Sequence, residues 1–473
     1  MSLRDRVPDS KSMYEPPIFG VDLRTSEVDL RPGQARLMKN CMYRGGIRKR
    51  YGSTQLTASA LHATLPIRGG HMFYYGGATP AKKRLVAYNT KISVISDAGA
   101  ETELTSGMTA DKDTGFLTWS IQDSVYIWNS NDTIRSYDGT TFATVSGTAI
   151  PTARWMCPIL DRLFAITTNG IERTDPRDPT VWSNDSSWAT IRPSLSGLFS
   201  CIHPHTIAAP DQLYPGVLAF QPTAHYIITG TNFGDDVTAG SASAGEDASI
   251  KLLDPRVGTQ SPYSVTTIPG FGTFFFTTDL NVFYIPFGST VGRYLGDRIY
   301  STGSTAGLES TNQSALSAVW GAYFDRFFIL GIPTGSNAYT DTQWWLDLYS
   351  LGEYPDRGPV WYGPMTGQSL MRVWVEDQQG DYKLKGGEGN TSTGAFVYNQ
   401  HQTTTFTDAV GTADNNISMS YQTYFNHFGA PSRRKYVPHV EMDLNSYSGN
   451  ATCTIADIDG DISAGLPIEQ LSR

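Results

Sequence analysis

Short runs of aromatic and β-branched residues, separated by residues that favour turns, recur along most of this chain. The first three groups of such runs occupy residues 71–95, 116–137 and 155–173. Runs of this length and composition are typical of β-strands, and the Asn89-Thr90 and Asp138-Gly139 pairs between them are typical of tight connections. Each group therefore predicts an antiparallel meander of strands.

The groups recur with a period of about 40 to 50 residues, and the pattern returns in residues 272–285, 317–349 and 370–398. A single meander cannot bury both of its faces, so meanders at this spacing are expected to stack around an axis, as in a β-propeller. Crossover helices, which parallel βαβ units require, are almost absent from the pattern. The sequence therefore predicts an all-β fold with a β-propeller at its centre.

The regions outside the repeated pattern predict the domain boundaries. Residues 230–249 are rich in Gly, Ala, Ser, Asp and Thr and carry too little apolar surface to order themselves, which indicates a loop-rich insertion. Alternating strands near the C-terminus indicate a half-solvated sheet, which we expect to join the N-terminal segment in one platform sheet built from both chain ends. The predicted division is an extended arm at residues 1–17, a platform at 18–60 and 406–473, and a propeller at 61–405 with an insertion near 198–262.

Composition supports a turn-rich β protein. Of 473 residues, 46 are Gly and 26 are Pro, whereas charged residues make up only 17%, which is low for a protein of long solvated helices. The four cysteines (Cys41, Cys157, Cys201 and Cys453) are far apart, so they predict reduced, buried thiols rather than a disulfide framework or a zinc ribbon. The first residues lack the apolar core of a secretory signal, and no apolar run is long enough to span a bilayer. We therefore expect synthesis in the cytoplasm and no membrane insertion.

Residues 19–56 differ from the strand groups. They combine a short apolar start, a Pro32-Gly33 break, a run at residues 34–42 with helical character, a Gly45-Gly46 turn and a basic strand start. They contain no paired carboxylates, no nucleophile beside a base and no phosphate-binding glycine loop. The segment therefore predicts an architectural role.

The order of residues in this segment resembles the N-terminal signature of large β-propeller proteins in the tails of short-tailed bacteriophages. These form the nozzle or hub class, which includes packaged-DNA stabilisation proteins. The shared order is Leu-Arg-Pro-Gly-Gln-Ala-Arg, Lys-Asn, Gly-Gly-Ile-Arg-Lys-Arg and Tyr-Gly, and it is strongest at residues 30–51. Two later segments are similar to the same class. One has Tyr-Phe-Asp-Arg, an apolar strand, a proline and a tryptophan at residues 323–361, and the other has Gly-Ala-Pro-Ser-Arg-Arg-Lys-Tyr at residues 429–436.

The resemblance implies a structural virion protein that is made in the host cytoplasm and located in the virion tail. It implies a hexameric ring of identical subunits that contacts the portal, the adaptor and other tail proteins. Such a ring continues the DNA channel, retains packaged DNA and conducts it during ejection. Double-stranded DNA is then a transient partner, and no cofactor or catalytic residue is expected.

Two basic runs supply candidate interaction residues: Arg48, Lys49, Arg50, Arg433, Arg434 and Lys435. Lys and Arg at this density bind phosphates in many proteins, but they also pair with acidic residues at interfaces and on surfaces. The formal net charge of -9 and the pI near 5.4 disfavour a protein that holds DNA tightly. The charge instead favours a channel through which DNA slides without sticking.

Three short motifs suggest chemistry that their spacing does not support. Ser-Tyr-Asp-Gly at residues 136–139 is one residue short of the Asp-box turn of sialidase-type propellers and predicts a plain hairpin turn. The acidic residues at 457–461 lack the glycine position and the final glutamate of a calcium loop, so a solvated turn is expected. His203 and His205 with Asp211 lack further ligands nearby and predict two ordinary histidines in a loop rather than a metal site.

An alternative function is a carbohydrate-binding or sialidase-like propeller enzyme that acts on host polysaccharide, with Arg, Glu and Tyr in a central pocket. A glycosidase needs two carboxylates at a matched separation. Asp and Glu in this chain fall mostly in predicted turns. The sequence therefore favours the structural function and predicts no hydrolase site.

Overall fold

Strands occupy most of the chain in the computed structural model, which describes residues 17–25, 30–31, 33–76, 81–168, 170–183, 197–209, 212–229, 249–301, 307–352, 358–378, 381–423, 452–456 and 462–467. The chain divides into two units, Met1–Phe425 and Asn426–Arg473. Helix in these described ranges is limited to α1 (Tyr349–Gly352) and to 3-10 helices at Pro262–Ser264, Asp297–Ile299, Leu308–Ser310 and Gln313–Ala318. No helix in the same ranges is long and apolar enough to cross a membrane.

Four short strands come first: β1 (Ala35–Lys39), β2 (Cys41–Tyr43), β3 (Ile47–Lys49) and β4 (Gly52–Gln55). The helix predicted at residues 34–42 is therefore wrong. Asn40 has a φ of 55°, a left-handed conformation that separates β1 from β2. The strand form is favoured because β1 pairs with Ser420–Thr423, which is distant in sequence. Tertiary pairing of this kind overrides local helix propensity.

Five four-stranded antiparallel sheets follow in chain order, each built from consecutive strands. The first sheet contains β5 (Ile67–Tyr75), β6 (Ala81–Tyr88), β7 (Lys91–Ile95) and β8 (Glu101–Thr105), and the second contains β9 (Gly115–Trp119), β10 (Ser124–Trp128), β11 (Arg135–Tyr137) and β12 (Phe142–Thr144). The third contains β13 (Trp155–Ile159), β14 (Arg162–Ile166), β15 (Ile171–Asp175) and β16 (Asp178–Ser183), and the fourth contains β17 (Cys201–Ala209), β18 (Gln212–Phe220), β19 (His225–Thr229) and β20 (Ser249–Asp254). The fifth contains β21 (Thr266–Ile268), β22 (Gly272–Phe276), β23 (Val282–Pro286) and β24 (Arg293–Tyr294).

A seven-stranded sheet completes the set, in the order β25 (Trp320–Phe324), β26 (Phe327–Ile332), β27 (Thr340–Asp347), β28 (Val360–Gln378), β29 (Asp381–Glu388), β30 (Val397–Gln402) and β4. The long strand β28 changes partner at Leu370, which faces Thr340 of β27 on one side and Glu388 of β29 on the other. The sheet therefore consists of two four-stranded units that share β28. We call each four-stranded unit a blade and number the blades 1 to 7 from β5 onward.

The innermost strands of the blades close a ring. Contacts run in order through β5, β9, β13, β17, β21, β25 and β28, and β28 contacts β5 again. The outer strand of blade 7 is β4, which precedes β5 in the chain, so the N-terminal segment joins the last blade to the first. Closure covers the apolar sheet faces that the first and last blades of an open array would leave exposed. The predicted all-β fold with a β-propeller is confirmed.

The insertion predicted near residues 198–262 is wrong for most of that range, because these residues form blade 4. β17 and β18 pair along their whole length, from Cys201 with Phe220 to Ala209 with Gln212. The residues of low apolar content, 230–248, fall between β19 and β20 and lie outside the described residues. The low apolar content of residues 230–248 therefore marks a connection between two strands of one blade and not an insertion between blades.

The N-terminal segment packs against the propeller and pairs with residues beyond it. The Val21 amide donates to the Trp361 carbonyl over 2.9 Å, and the Leu23 amide donates to the Arg298 carbonyl over 2.7 Å. Three more strands, β31 (Thr407–Val410), β32 (Ala413–Asn416) and β33 (Ser420–Thr423), follow blade 7, and β33 pairs with β1. The two segments of the predicted platform, residues 18–60 and 406–473, thus both contribute strands, although β4 belongs to the propeller.

The second unit contains a pair of antiparallel strands among its described residues, β34 (Thr452–Ala456) and β35 (Ile462–Pro467). The predicted platform sheet joins the N-terminal segment to strands near the C-terminus that include residues 436–444, and these residues lie outside the described ranges. Of the cysteines, Cys41, Cys157 and Cys201 are free and buried, which confirms the prediction for these three thiols.

Buried charges join blade 7 to blade 1, where the ring closes. Glu376 on β28 is completely buried, and Arg84 on β6 donates from Nη2 to its Oε2 over 2.8 Å. Lys385 Nζ on β29 lies 3.8 Å from the same carboxylate oxygen. Desolvated charges are tolerated only when they are paired in this way. The pairing therefore fixes one register between the first and last blades.

Candidate functional site

Side chains from three blades meet on the propeller axis. Trp155 is the first residue of β13, Tyr263 lies in the 3-10 helix that precedes β21, and Arg372 lies on β28. The rings of Trp155 and Tyr263 meet edge to face with centroids 5.1 Å apart, and Arg372 Cζ lies 3.9 Å from the centroid of the Tyr263 ring. These contacts bridge the axis near the ends where the inner strands begin.

Arg372 holds several of these strand starts together. Its Nη2 donates to Asp113 Oδ1 over 2.7 Å, just before β9, and to the Ser317 carbonyl over 3.2 Å, just before β25. Asp113 is also 3.5 Å from Arg68, and Arg68 pairs with Asp111 over 2.6 Å. Two cations and two anions therefore balance each other beside the axis.

A cavity of about 350 Å³ lies beside these residues. Its walls come from the starts of the inner strands of blades 1, 2, 3, 4 and 7, including Gly115, Leu117 and Val373. A Cβ on Gly115 would lie 2.2 Å from the Trp128 ring, so glycine is required for this ring to reach the cavity wall. Pro204, another wall residue, is exposed, so the cavity communicates with solvent.

His203 lines the same cavity and is electrically neutral. Its ring lies 5.4 Å from that of Trp155, and burial lowers the pKa of its imidazole to about 3. His205 faces away toward blade 5, where Nε2 donates to the Ser289 carbonyl over 2.8 Å and Nδ1 lies 3.0 Å from Thr273 Oγ1. The predicted loop is wrong, because both histidines lie on β17.

The described residues contain no group of three or more His, Cys, Asp or Glu side chains that could hold a metal ion. Asp211 and the acidic residues at 457–461 fall outside these residues. The turn at Asp138 is a plain hairpin connection, as predicted: its Oδ1 accepts from the amides of Thr140 and Thr141. That carboxylate holds the backbone of the turn.

The first basic run has one exposed and one buried arginine. Arg48 is exposed, and Lys49 Nζ lies 5.9 Å from the centroid of the Phe406 ring. Arg50 is only 6% exposed and makes a two-pronged ion pair with Asp408, in which Nη1 lies 2.9 Å from Oδ1. The guanidinium of Arg50 is therefore engaged inside the chain and cannot reach a partner's phosphate.

Further bonds show what Arg50 does instead. Its Nε donates to Asn40 Oδ1 over 3.0 Å, and its Nη2 donates to the Thr366 carbonyl over 2.6 Å. It thereby links the turn after β1, the long strand β28 and strand β31. The second basic run, Arg433, Arg434 and Lys435, lies outside the described residues.

The axial residues Arg372, Tyr263 and Asp113 were not predicted from the sequence as a site. They lie far apart in the chain, and only the closed ring brings them together. One signal was available, because Arg372 interrupts the otherwise apolar run of residues 370–375. A single charge in a buried strand requires a partner, but the sequence does not say which one.

No protein-family model matches the chain, and no curated protein is significantly similar to it. Solved structures that it is similar to include BBS1N in complex with ARL6DN, at 9% identity and a TM-score of 0.42, over 78% of this chain and 99% of that one. Another is the WD40 beta propeller domain of Doa1, at 8% identity and a TM-score of 0.40, over 75% and 98% of the two chains. A third is the computationally designed Ika8 protein, at 12% identity and a TM-score of 0.39, over 73% and 99%. The seven-bladed ring itself is defined by the strand pairing and contacts described above.

Proposed function

We propose that this chain is a structural subunit of a ring in the tail of a short-tailed bacteriophage, in which identical copies surround the DNA channel. The observation that carries the proposal is how residues 30–51, which resemble that class, are built into the molecule. β1 in this segment pairs with β33, and Arg50 at its end is bound to Asp408 and to β28. The segment thus fixes β33 and β31 to the propeller.

The DNA channel in this proposal lies between subunits and not along the propeller axis. Trp155, Tyr263 and Arg372 bridge that axis, so a duplex cannot pass through one propeller. Identical subunits that repeat one heterologous contact close into a ring with cyclic symmetry. A central hole of duplex width is then a property of the assembly, and we propose the hexamer that the resemblance implies.

The axial cavity also supports a function without hydrolysis. None of the described residues that line it is a carboxylate, and nearby Asp113 is paired with Arg372 and Arg68. A glycosidase places two available carboxylates on either side of the scissile bond. We therefore rank the carbohydrate-active alternative second. Release of sugar from host polysaccharide that a single carboxylate substitution abolishes would reverse this ranking.

The proposal is tested by measuring the assembly state of the full chain. Light scattering and native mass spectrometry would be recorded on the purified 51.8 kDa chain, alone and with the portal and adaptor proteins of the same virion. We expect a closed oligomer of about six copies, with a hole of duplex width in electron-microscopic class averages. A chain that stays monomeric and joins no ring with these proteins would overturn the proposal.

Substitutions of exposed charges can localise the contact. Arg48→Glu changes the exposed arginine of the motif, and Lys112→Glu makes the same charge change on an exposed residue before β9. We expect Arg48→Glu to shift the oligomer toward monomer and Lys112→Glu to leave it unchanged. Equal assembly by both variants would show that the exposed part of the motif is not at a subunit contact.

A further inference from the structure

We propose that a second cavity, between the inner-strand ends of blades 6 and 7, binds an organic cation of the quaternary ammonium class. The inference does not depend on the proposed role in a virion. The cavity has a volume of about 330 Å³, which admits a small molecule. The described residues of its wall are two acids, three aromatic residues and a valine: Asp325, Asp377, Tyr323, Phe324, Tyr382 and Val375.

Two hairpins form this cavity. Residues 323–325 end β25 and begin its turn into β26, Val375 and Asp377 lie near the end of β28, and Tyr382 lies at the start of β29. Glu376 points to blade 1, where it pairs with Arg84, so the alternation of β28 turns Val375 and Asp377 toward blade 6. The cavity therefore lies where inner strands end, at the opposite end of the ring from the axial cavity.

The rings and carboxylates of this wall are accessible to solvent. Tyr382 is 53% exposed and Tyr323 is 38% exposed. Asp377 is exposed, and the side chain of Asp325 is 46% exposed. A ligand can therefore reach both carboxylates and both phenol rings from water without any movement of the chain.

The phenol of Tyr323 lies close to the other groups of the cluster. Partial burial raises its pKa, and Tyr349, Tyr382 and Asp325 raise it further through their charge. Charges in solvent are screened beyond about 10 Å, so these side chains are near neighbours. The shared cavity wall and the pKa of Tyr323 therefore indicate the same arrangement.

The charge of the wall selects a cation. Two of its described residues are carboxylates, and none is Lys, Arg or His. Arg44 binds one oxygen of Asp325 and lies over the Phe327 ring, but the carboxylate stays exposed and still attracts a second cation. An anion in the cavity would instead be repelled by both acids.

The aromatic residues select a cation that is weakly hydrated. The negative face of an aromatic ring attracts a cation, and quaternary ammonium groups are bound in this way. The chain makes the same contact nearby, because Arg326 Cζ lies 5.5 Å from the centroid of the Tyr349 ring. Among the described residues, no cation lies over the ring of Tyr323 or Tyr382. These two rings are therefore available to a cation from outside the chain.

A neutral sugar is a poorer match for the same wall. Each sugar hydroxyl both donates and accepts, whereas the described carboxylates of the wall only accept. Apart from the phenols, no described side chain of the wall donates a hydrogen bond. The wall therefore favours a ligand with positive charge over one with many hydroxyl groups.

Choline is a suitable probe, and four analogues separate the parts of the proposal. 3,3-Dimethylbutan-1-ol has the same shape without the charge, ammonium chloride has the charge without methyl groups, phosphocholine adds a negative phosphate, and methyl α-glucopyranoside is a neutral sugar. Titrations of the full chain at constant ionic strength would be followed by calorimetry and saturation-transfer NMR, with ammonium measured by competition. For about seven non-hydrogen atoms we expect a Kd on the order of 1 mM for choline, and at least about tenfold weaker binding of the analogues.

Phosphocholine also distinguishes two sources of the cation. It carries the headgroup of a common lipid, and its phosphate would meet the acids of the wall. Weaker binding of phosphocholine than of choline would therefore support a free cation as the ligand. Binding of phosphocholine as tight as that of choline, or tighter, would contradict selection by the two carboxylates.

Variants place the binding in the cavity. Tyr382→Leu removes an exposed ring and should weaken choline binding about fivefold, whereas Tyr382→Phe keeps the ring and should retain binding. Tyr294→Leu removes a tyrosine of similar exposure from blade 5 and should have no effect. Asp377→Asn removes one charge from the wall and should weaken binding about fivefold. Asp161→Asn makes the same change in the β13–β14 turn, across the ring in blade 3, and should not.

Several outcomes would overturn the proposal. One is no choline binding up to about 20 mM, some twenty times the expected Kd. Others are binding of 3,3-dimethylbutan-1-ol, ammonium or the glucoside as tight as that of choline. Choline binding that is unchanged in both Tyr382→Leu and Asp377→Asn would place the ligand elsewhere and would also overturn it. Circular dichroism would confirm that each variant is folded, and if one of these two fails to fold, the other decides.

Discussion

Arg50 and Arg372 are both buried, and each guanidinium joins parts of the chain that are far apart in sequence. Arg50 connects residues near β1 with β28 and β31, and Arg372 connects the strand starts around the propeller axis. A planar fork of five donors suits such a role, because it can bond to several fixed acceptors at once. Lysine at either position would offer a point charge and could not replace this geometry.

The buried pair of Arg50 and Asp408 predicts a large effect on stability. Arg50→Ala leaves the Asp408 carboxylate, which is 2% exposed, without its charge partner. Removal of one member of a buried pair destabilises a protein by about 3–5 kcal/mol. We expect a loss of this size in the free energy of unfolding, measured by urea titration of the full chain.

Arg48→Ala is the matched control, because Arg48 is exposed two residues away. Exposed substitutions of this kind change stability by about 0.5 kcal/mol or less. Similar losses for the two variants would contradict the structural role assigned to Arg50.

The sequence indicated the basic run as a candidate interaction site, but it could not show that Arg48 is exposed and Arg50 is buried. The alternation of a strand places neighbouring side chains on opposite faces, and residues 48 and 50 share a face only while the strand continues. Here β3 ends at Lys49, and Arg50 then turns toward Asp408, a residue far along the chain. The burial of Arg50 therefore depends on tertiary structure that no local pattern contains.

Burial lowers the pKa of five described histidines, His71, His203, His205, His225 and His401, and this predicts how stability depends on pH. Burial lowers the pKa of His71 to about 4, that of His203 to about 3 and that of His401 to about 4. The unfolded chain has a histidine pKa near 6.5, so it binds more protons than the folded chain below that pH. Stability is therefore fully present above about pH 6.5 and falls as the pH drops toward about 4, by at most about 2 kcal/mol per histidine at pH 5.

Urea midpoints at pH 7.5, 6 and 5 would test this dependence, and His203→Phe should flatten it. Burial raises the pKa of Glu388, which acts in the opposite sense by adding stability as the pH falls. The comparison of the variant with the wild-type chain removes this contribution, because both contain Glu388. Identical slopes for the two proteins would contradict the assignment of a neutral, partly buried His203.

Strands were predictable from the sequence to different degrees. The central strands of blade 5 are apolar on both faces and are flanked by turn residues, and residues 272–276 and 282–286 therefore match the prediction closely. Edge strands such as β24 (Arg293–Tyr294) are short and polar, and the pattern did not reveal them. β4 could not be assigned either, because its partner β30 lies at the far end of the propeller sequence.

The close fit of β4 predicts a sharp difference between two glycines. A Cβ on Gly52 would lie 1.9 Å from the Thr407 carbonyl oxygen, whereas a Cβ on Gly46 would meet no atom within 4 Å. Gly52→Ala must therefore move β4 or β31 and should cost about 1–3 kcal/mol. Gly46→Ala should be neutral or slightly stabilising, because it only restricts the unfolded chain.

Thermal melting and urea unfolding of the two variants would measure the difference. A broad or two-step transition in Gly52→Ala would further indicate that the ring opens at blade 7 before the other blades unfold. Equal stability of the two variants would contradict the position of β4 as the closing strand.

At the scale of the whole molecule, closure of the ring explains both what could be predicted and what could not. The repeated meanders in the sequence indicated stacked blades. The number of blades is seven because β28 is shared by two blades and β4 completes the last one. Neither feature appears as a repeat in the sequence. The axial residues became neighbours only through closure. Fold class was therefore accessible from local pattern, whereas the cavity and its charges required the complete circle of contacts.

The charge of the whole molecule predicts how it meets DNA. Acids outnumber bases, with 45 Asp and Glu against 36 Lys and Arg, and buried Arg50 and Arg372 are not available to phosphates. A protein that neutralises Z phosphates shows a slope of about −0.9Z when the logarithm of affinity is plotted against that of salt concentration. With an acidic excess and with these two arginines buried, we expect a small Z and weak binding. Anisotropy titrations of a labelled duplex at about 50 and 150 mM salt, the range over which phosphate contacts lose affinity, would measure both the affinity and the slope. Arg48→Glu should remove any residual binding that the motif provides, and Lys112→Glu serves as the control of equal charge. Tight binding with a steep slope by the wild-type chain would show that DNA is held by this protein, and it would contradict a channel through which DNA slides.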